Sequence, residues 1–331
     1  SVKPITYWLD RNIPVRYRDA IRDGVLEWNK AFERIGFKNA VVVQQQPDDA
    51  SFDNMDGGHA SIRWFLGADV GFAIGPSHTD PRTGEILDAD IGMSDVFGRG
   101  SRRESREDSI MPTGNALPGF YTAGSTPAWR SGLEALALNG DANACTYAAD
   151  GASEMGFALD LLEARGDLDP DSPETEAFVK AYIKDVITHE VGHTLGLRHN
   201  FRASTTITQA QLRDKAYVSK VGIAGSVMDY TPFNLSLQGE AKSETNMVTL
   251  GAYDYWVVEY GYKPQDPARE AAELKAVAER SRTDKSLAFG DDGDAIGPTG
   301  EGLDPLVNVF DLGDDPLAYA KRRIALSKEL W

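Results

Sequence analysis

The stretch that decides the fold is HEVGHTLGLRH, residues 189–199. His189 and His193 lie four positions apart in a strongly periodic helical segment, so both imidazoles project from one helix face. Gly196 ends that helix in a backbone conformation that other residues resist, and the following turn brings His199 back to the same face. Three such nitrogens can reach one divalent ion at about 2.0–2.1 Å. The spacing therefore predicts a metal site with three histidine ligands.

The residue after the first histidine predicts what this metal does. Glu190 points about 100° round the helix from His189, too far for a natural third ligand but within reach of a metal-bound water. Three neutral nitrogens with an open fourth position are typical of a catalytic zinc, whereas a fourth protein ligand closes a structural one. The pattern predicts one catalytic Zn²⁺ with Glu190 as general base. The alternative, histidines that merely lie on a helix surface, is disfavoured because Gly196 and His199 are both in register.

A second motif lies downstream, where SVMDY at residues 226–230 holds one of the six methionines. Together with the histidine motif, it resembles the metzincin clan of zinc endopeptidases, in which a methionine-containing turn lies beneath the metal. The resemblance implies that Met228 is that methionine. It also implies that Tyr230 ligates zinc or binds the oxyanion, as in astacins and serralysins. Taken alone, Met228 is also typical of plain core filler, and Tyr230 of a hydrogen-bonded wall.

Other parts of the chain depart from the best-known metzincins. Asn200 follows the third histidine, where those families each have a different characteristic residue. The insert from Phe97 to Asp150 and the segment 251–262 are similar to a less studied bacterial group, whose zinc-binding domain is of the EcxA toxin-subunit type. Toxicity is not implied by this likeness.

The resemblance implies an α+β fold in two lobes. Residues 1–196 are expected to form an upper lobe, with a twisted five-stranded mixed sheet, backing helices and an irregular insert at 97–150. Residues 197–331 are expected to form a mainly helical lower lobe with the third zinc ligand, the methionine turn and the C-terminal helices. The active-site cleft would lie between the lobes, and the insert could cover it.

Local patterns agree with this order of elements. Apolar residues recur every three or four positions from Ile21 to Ile35, which predicts one amphipathic helix closed by Gly36. Ser172 and Pro173 are typical of a helix start. The remaining predicted elements are strands at Ile5–Leu9, Ala40–Val43 and Ile62–Leu66, a hairpin from Val70 to Ser94, and helices at Ser153–Arg165, Pro267–Arg280 and from Asp315 to the end.

The resemblance also implies how a substrate would bind. The edge strand at Val70–Ser77 would pair antiparallel with an extended peptide, which needs little sequence specificity because backbone groups make the bonds. The expected substrate-binding residues are Gly71, Phe72 and Ala73 on that strand, and Thr231 and Pro232 beside the pocket for the residue after the cut.

Composition narrows the function classes. The chain has 331 residues, 41% of them hydrophobic, and a net charge of −17, so it is expected to repel nucleic acid and anionic membrane surfaces. It has no run of about 18 apolar residues, which predicts that nothing spans a membrane. Cys145 is the single cysteine, which excludes an internal disulfide framework and a multi-cysteine metal site.

The function predicted from these features is zinc-dependent endopeptidase activity on a peptide or protein substrate. Two alternatives stay open: an inactive, zinc-containing peptide-binding module, and a zinc amidase acting on a non-peptide or cell-wall amide. The resemblance implies a secreted or periplasmic location, while oligomeric state is not predicted.

Three weaker interpretations concern other residues. Cys145 could mask the zinc as a thiolate, although a lone cysteine is more often buried and inert. His59 and His78 could bind a second ion, although solvated loop residues are the plainer explanation. The acidic loop with Asp291, Asp292 and Asp294 could bind Ca²⁺, although it lacks the spacing of an EF-hand.

Overall fold

A mixed sheet forms the N-terminal part of the protein. The computed structural model describes residues 3–53, 56–65, 73–74, 77–94, 145, 147–169, 172–295, 302 and 304–330. Among these residues the strands are β1 (Ile5–Leu9), β2 (Val41–Gln45), β3 (Ser61–Phe65), β4 (Ala73–Ile74), β5 (Ser77–Thr79) and β6 (Ile86–Ser94). The order along the sheet is β2-β1-β3-β6-β4, with β5 paired to β6 outside this path.

The strands of this sheet run in mixed directions. β1 pairs parallel with β2 and β3, and β3 pairs parallel with β6, whereas β4 runs antiparallel to β6. The sheet is therefore the mixed five-stranded sheet that the resemblance implies, and the α+β fold is confirmed. Among the strands of the described residues β4 is the last in the path, in agreement with the edge strand predicted at Val70–Ser77.

The predicted hairpin is present around a tight turn. The Asp80 amide donates to the Glu85 carbonyl at 2.8 Å, and the Asp80 carboxylate accepts hydrogen bonds from Arg82. Gly84 has φ of +74°, a conformation that a side chain would disfavour. The turn returns the chain antiparallel, so that Ala73 pairs with Met93.

The helices are mostly those that the sequence predicted. They are α1 (Val15–Leu26), α2 (Asn29–Arg34), α3 (Tyr147–Ala164), α4 (Pro173–Thr194), α5 (Gln209–Leu212), α6 (Lys215–Val221), α7 (Ala252–Tyr262), α8 (Glu270–Glu279) and α9 (Pro316–Ser327), with 3₁₀ turns at Ala203–Thr206, Arg280–Arg282 and Lys285–Leu287. α4 begins as predicted, because Ser172 Oγ accepts from the Thr175 amide at 3.2 Å and Pro173 is the first helical residue.

One predicted helix is divided in two. The apolar face from Ile21 to Ile35 spans α1 and α2, which are separated by a tight turn at Glu27 and Trp28. Asn29 begins α2 and exchanges two hydrogen bonds with the backbone of Val41, at 2.8 and 2.9 Å. The periodic apolar residues remain buried because this turn keeps them on one side, and a periodicity argument therefore does not detect the break.

The helix that carries the histidine motif packs closely on α1. A methyl group at Gly24 would approach the Lys184 carbonyl to 2.8 Å, so the two helices meet here at backbone distance. The Trp28 indole is completely buried and donates to the Thr188 carbonyl at 2.9 Å. These contacts hold the last turns of α4 against the N-terminal part of the protein.

Beyond α4, short helices alternate with buried irregular chain. Residues 223–250 contain no helix or strand, yet Asn234 and its neighbours are buried. The Asn234 side-chain amide donates to the carbonyls of Leu212 and Glu244, at 3.1 and 2.9 Å. The C-terminal part expected to be mainly helical therefore also uses side-chain hydrogen bonds to satisfy buried backbone groups.

The buried Asp185 carboxyl supplies a test of this packing. It accepts hydrogen bonds from the Met247 amide at 3.2 Å and the Tyr147 hydroxyl at 3.5 Å, and burial raises its pKa to about 7. The folded-state pKa lies above the unfolded value of about 3.9. Folding therefore favours the protonated form, so this group's stabilising contribution is present below about pH 4 and is lost as pH rises through about 7.

We expect Asp185→Asn to flatten the pH dependence of the unfolding free energy between about pH 4 and pH 7, by at most about 4 kcal/mol across the window. Urea titrations of the chelator-treated protein at several pH values measure the effect. The matched control is Asp19→Asn, because Asp19 is exposed on α1. Equal slopes in the two variants would contradict the role given to Asp185.

Candidate metal centre

The three histidines of the motif converge as the spacing predicts. His189 and His193 lie in the last turns of α4, and Gly196 follows with φ of +90°. The Nε2 atom of His193 lies 3.0 Å from that of His189 and 3.1 Å from that of His199. The predicted return of the chain after Gly196 is therefore correct, and it brings all three rings to one point.

Hydrogen bonds at the far side of each ring determine which nitrogen carries the proton. His189 Nδ1 lies 2.8 Å from the Val227 carbonyl, and His193 Nδ1 lies 3.0 Å from the Leu197 carbonyl. A carbonyl oxygen can only accept, so in these two rings Nδ1 is the donor. A neutral ring with Nδ1–H leaves a lone pair on Nε2, which is the form that binds a metal.

The third ring is oriented by a carboxylate. His199 Nδ1 lies 2.9 and 3.0 Å from the two carboxylate oxygens of Asp292. This contact assigns the proton of His199 to Nδ1 as well. All three Nε2 lone pairs therefore point at one another without a hydrogen between them.

Such an arrangement fits a cation at its centre. Two nitrogens bound to one tetrahedral zinc lie about 3.3 Å apart, close to the separations between these rings. Burial, and then the neighbouring histidines, lower the pKa of His189 well below its ordinary value and that of His193 to about 3. Both rings are therefore neutral and available as ligands at physiological pH.

A fourth side chain also faces this point. The Cys145 Sγ atom lies 3.4 Å from His189 Nε2, and the four candidate ligand atoms all lie within 4.8 Å of one another. Burial, and then the Glu190 carboxylate, raise the pKa of the Cys145 thiol well above its ordinary value. The Cys145 sulfur therefore lies beside the three imidazoles, and a fourth position open to water stays a prediction.

The Glu190 carboxylate is buried beside the cluster. Neither of its oxygens has a hydrogen bond of normal geometry within the described part of the chain, the Cys145 thiol interacts with it at longer range, and the side chain is fully shielded from solvent. Burial raises the pKa of Glu190 to about 8. A carboxylate in such surroundings is costly, which is a common property of functional sites.

The methionine turn lies against the histidine helix. Met228 is completely buried, and a methyl group at Gly192 would overlap its sulfur and approach Trp28 Cζ2 to 3.0 Å. Gly192, the small residue within the histidine motif, therefore allows Met228 to lie directly beneath the ligand-bearing turn. The placement of Met228 agrees with the resemblance.

A buried carboxylate shapes that turn. Asp254 accepts hydrogen bonds from Ser226 Oγ at 2.6 Å, the Val227 amide at 2.9 Å and the Gly251 amide at 2.7 Å. The Val227 carbonyl is the group that orients His189. Asp254 thus acts on the metal centre through the backbone of the methionine turn, a link that no local sequence motif reveals.

Tyr230 lies at the edge of the cluster. Its hydroxyl is 3.1 Å from His199 Nε2 and 3.3 Å from Cys145 Sγ. Its ring stacks on that of Tyr147 at a centroid distance of 4.9 Å. The hydroxyl is therefore close enough to the centre for either role that the resemblance implies.

The acidic loop serves the metal centre. Asp292 bonds His199, and the neighbouring Asp291 forms an ion pair with Arg198 at 2.6 Å. Asn200 connects this loop to the motif, because its side chain donates to the Ala288 carbonyl and accepts from the Gly290 amide. Calcium at this loop is unsupported. The sequence analysis missed Asp292 as a histidine partner because a separation of about ninety residues leaves no local signal.

The predicted substrate-binding residues are placed unequally. Gly71 and Phe72 lie outside the described residues, whereas Ala73 is part of β4. Thr231 and Pro232 are buried, and Thr231 Oγ1 lies 3.2 Å from the Tyr147 hydroxyl. Their contact with a substrate stays a prediction.

The remaining histidines do not form a second cluster in the described part of the chain. The one group of three or more potential metal ligands found there is that of Cys145 and the three motif histidines. His59 stacks on Phe52 at a centroid distance of 4.3 Å, while His78 lies on the exposed strand β5. A second ion at His59 or His78 is therefore unsupported.

The mixed sheet, the motif helix and the three-histidine centre define a zinc metallopeptidase-like domain. The family model described as Met-zincin matches residues 171–331, which make up slightly less than half of the chain. The match confirms the resemblance to metzincins over these residues. No curated protein and no solved structure matches the chain. No helix in the described ranges is long and apolar enough to cross a membrane.

The Asp292 contact leads to a test on metal affinity. We expect Asp292→Asn to weaken zinc binding about 10- to 100-fold, because the amide keeps the shape but not the charge that orients and polarises His199. Competition with a chromophoric chelator measures this affinity. Asp294→Asn is the control, since Asp294 lies in the same loop and bonds the Asp291 amide. Unchanged affinity in Asp292→Asn would refute the role of this carboxylate.

The contact between Gly192 and Met228 leads to a test on packing. We expect Gly192→Ala to lower the unfolding free energy by about 1–3 kcal/mol, because the methyl group overlaps Met228 and Trp28. Gly261→Ala is the matched control, since Gly261 lies in α7 and an added methyl group there meets nothing within 4 Å. That control should be neutral or stabilising by up to about 1 kcal/mol. Thermal unfolding compares the two, and equal effects would contradict the close packing.

Proposed function

We propose that this protein is a zinc-dependent endopeptidase. The observation that carries the proposal is the convergence of three imidazole Nε2 atoms beside the buried carboxyl group of Glu190. The Met-zincin match over the same residues supports it. His189, His193 and His199 would hold the ion.

Zinc bound at these residues would act as a Lewis acid on the scissile carbonyl and lower the pKa of a bound water. Glu190 would accept a proton from the attacking water and return it to the leaving amine. Burial raises the pKa of Glu190 to about 8 without the ion, and a bound cation would lower that pKa by favouring the carboxylate form that accepts the proton.

Two further groups have roles in this proposal. The Tyr230 hydroxyl, 3.1 Å from His199 Nε2, would donate to the oxyanion as the carbonyl is attacked. The free side of β4 would pair with the backbone of an extended peptide, with Ala73 among the docking positions. Thr231 and Pro232 would form the wall beyond the cut.

The proposal retains the two-lobed organisation expected from the sequence. Residues 1–196 would form the upper lobe and residues 197–331 the lower one, with the substrate cleft between them. A secreted or periplasmic location is part of the proposal and is supported by family habit. Fractionation of cells that express the full-length protein tests that location.

Two alternatives differ from this proposal in activity or in substrate. An inactive peptide-binding module is disfavoured because Glu190 is present and buried beside the three histidines. An amidase acting on a non-peptide amide would use the same metal chemistry. The edge strand β4 favours a peptide substrate over such an amide, because the backbone groups of Ala73 and Ile74 can pair with those of an extended chain.

The test removes the proposed base and leaves the histidines in place. We expect Glu190→Ala to keep stoichiometric zinc while cleavage of unfolded casein falls about 10²- to 10⁴-fold. Glu33→Ala, at an exposed position on α2, is the control and should retain wild-type turnover. Zinc content by atomic absorption is measured on the same samples. Near-normal cleavage by Glu190→Ala would exclude Glu190 as the base, and chelator-resistant cleavage would exclude the metal.

A further inference from the structure

One residue near the metal centre has an unfavourable backbone conformation. Phe310 has φ of +56°, in the left-handed region where a side chain crowds the backbone and where glycine is favoured. The other non-glycine residue with positive φ in the described ranges is Asn39, a residue type that tolerates this region. A bulky residue keeps such a conformation only where its surroundings hold it, and such residues cluster at functional sites. The contacts of Phe310 therefore indicate which group its conformation serves.

Backbone hydrogen bonds attach the Phe310 segment to two stretches of chain beside the metal centre. The Phe310 amide donates to the Tyr230 carbonyl at 2.8 Å, and the Asn308 amide donates to the Phe201 carbonyl at 3.3 Å. Phe201 lies two residues after His199, and the Tyr230 hydroxyl lies 3.1 Å from the Nε2 atom of that same histidine. The segment therefore connects the chain that follows the third ligand with the chain that carries Tyr230.

The residue after Phe310 fixes the segment a second time. Asp311 is buried, and its carboxylate accepts a hydrogen bond from Ser204 Oγ at 2.6 Å. The amide of the same Ser204 donates at 2.7 Å to the carboxylate of Asp229, which directly precedes Tyr230. Phe310 therefore lies between two anchored residues of its own segment, and both sets of hydrogen bonds lead to the chain around Tyr230.

The side chain of Phe310 contacts Tyr230 as well. The centroids of the two rings are 5.9 Å apart, and the Phe310 ring also lies 6.3 Å from that of Tyr147, which stacks on Tyr230. Aromatic pairs at such distances attract each other in preferred orientations. Because a tyrosine oxygen lies in the plane of its ring, the rings packed around Tyr230 determine where its hydroxyl points. It points to the metal centre.

Core packing alone does not account for a phenylalanine at this position. Phe310 is only half-buried, so its ring removes less apolar surface from water than a core side chain does. Glycine would adopt the same φ without a steric cost. The ring contact with Tyr230 gives a reason for an aromatic side chain where the backbone favours glycine.

We propose that Phe310 is a positioning residue for Tyr230. Its amide fixes the Tyr230 carbonyl and its ring supports the Tyr230 ring, so that the hydroxyl stays directed at the metal centre. Phe310 acts through Tyr230, and its effect on cleavage therefore rests on the proposed function, in which that hydroxyl donates to the oxyanion.

Two variants remove the ring and keep the backbone. We expect Phe310→Gly and Phe310→Asn to lower kcat on a fluorogenic peptide at least about tenfold, because glycine and asparagine accept the positive φ but leave Tyr230 unsupported. KM should change less than about twofold, since the donor acts mainly in the transition state. Phe310→Tyr keeps the ring and should retain kcat within about twofold. Loss of kcat in Phe310→Tyr equal to that in Phe310→Gly would contradict the role of the ring.

The matched control for these variants is Phe52→Gly. Phe52 is also half-buried, and its ring stacks on that of His59 at a centroid distance of 4.3 Å, in the N-terminal part of the chain. We expect this change to lower the unfolding free energy and to leave kcat unchanged at equal zinc content. A similar loss of kcat in Phe52→Gly and Phe310→Gly would overturn the positioning role, because general destabilisation would then explain both.

A double-mutant cycle tests whether Phe310 acts through the tyrosine hydroxyl. Tyr230→Phe should lower kcat, and adding Phe310→Gly to it should change kcat by less than about twofold, because the hydroxyl to be positioned is gone. The same fold loss from Phe310→Gly with and without that hydroxyl would overturn the inference.

Crystal structures of the zinc-loaded wild type and of zinc-loaded Phe310→Gly separate this inference from the proposed peptidase. We expect the Tyr230 hydroxyl to move by more than about 1 Å relative to His199 Nε2 in the variant. A displaced hydroxyl in a protein that cleaves no peptide would refute the peptidase and support the positioning role. An unmoved hydroxyl with unchanged kcat would refute the positioning role and support the peptidase.

Discussion

The mutual repulsion of three imidazole lone pairs in a buried site is the constraint on which this structure depends. Each ring donates its Nδ1 proton outward, to Val227, Leu197 or Asp292, so each Nε2 faces the centre without a proton. Burial lowers the pKa of His189 and of His193, which disfavours protonation of these two rings. A divalent cation relieves this cost, and folding and metal binding are therefore coupled at this point.

Two glycines let neighbouring parts of the chain pack closely against the helix that carries His189 and His193. Gly24 allows α1 to meet α4 at backbone distance, and Gly192 allows Met228 to lie under the ligand-bearing turn. Trp28 fills the space between these two contacts and bonds the Thr188 carbonyl. The helix that supplies two of the ligands is therefore packed on both sides, which restricts the directions that its imidazoles can take.

Carboxylates orient the centre without contacting the metal. Asp254 collects two backbone amides and a hydroxyl around the methionine turn. Asp229 accepts from the Ser204 amide at 2.7 Å, while Asp311 accepts from the Ser204 hydroxyl at 2.6 Å. Burial, and then Asp311, raise the pKa of Asp229 well above its ordinary value. Some of the acidic residues of this chain are thus buried, and their carboxylates accept hydrogen bonds that shape the turn next to the histidine ligands.

The sequence by itself determined the residues whose relations are local. The four-residue spacing of His189 and His193, the glycine that ends their helix and the return of His199 all follow from helix geometry, and the mixed sheet followed from the metzincin resemblance. The break at Glu27 and Trp28 was not predictable, because the apolar period continues through it. Only the tertiary structure brought Asp292 to His199 and Cys145 to the metal centre. These partners are about ninety and forty-four residues from the histidines they approach, and no periodicity or local motif records a contact across such distances.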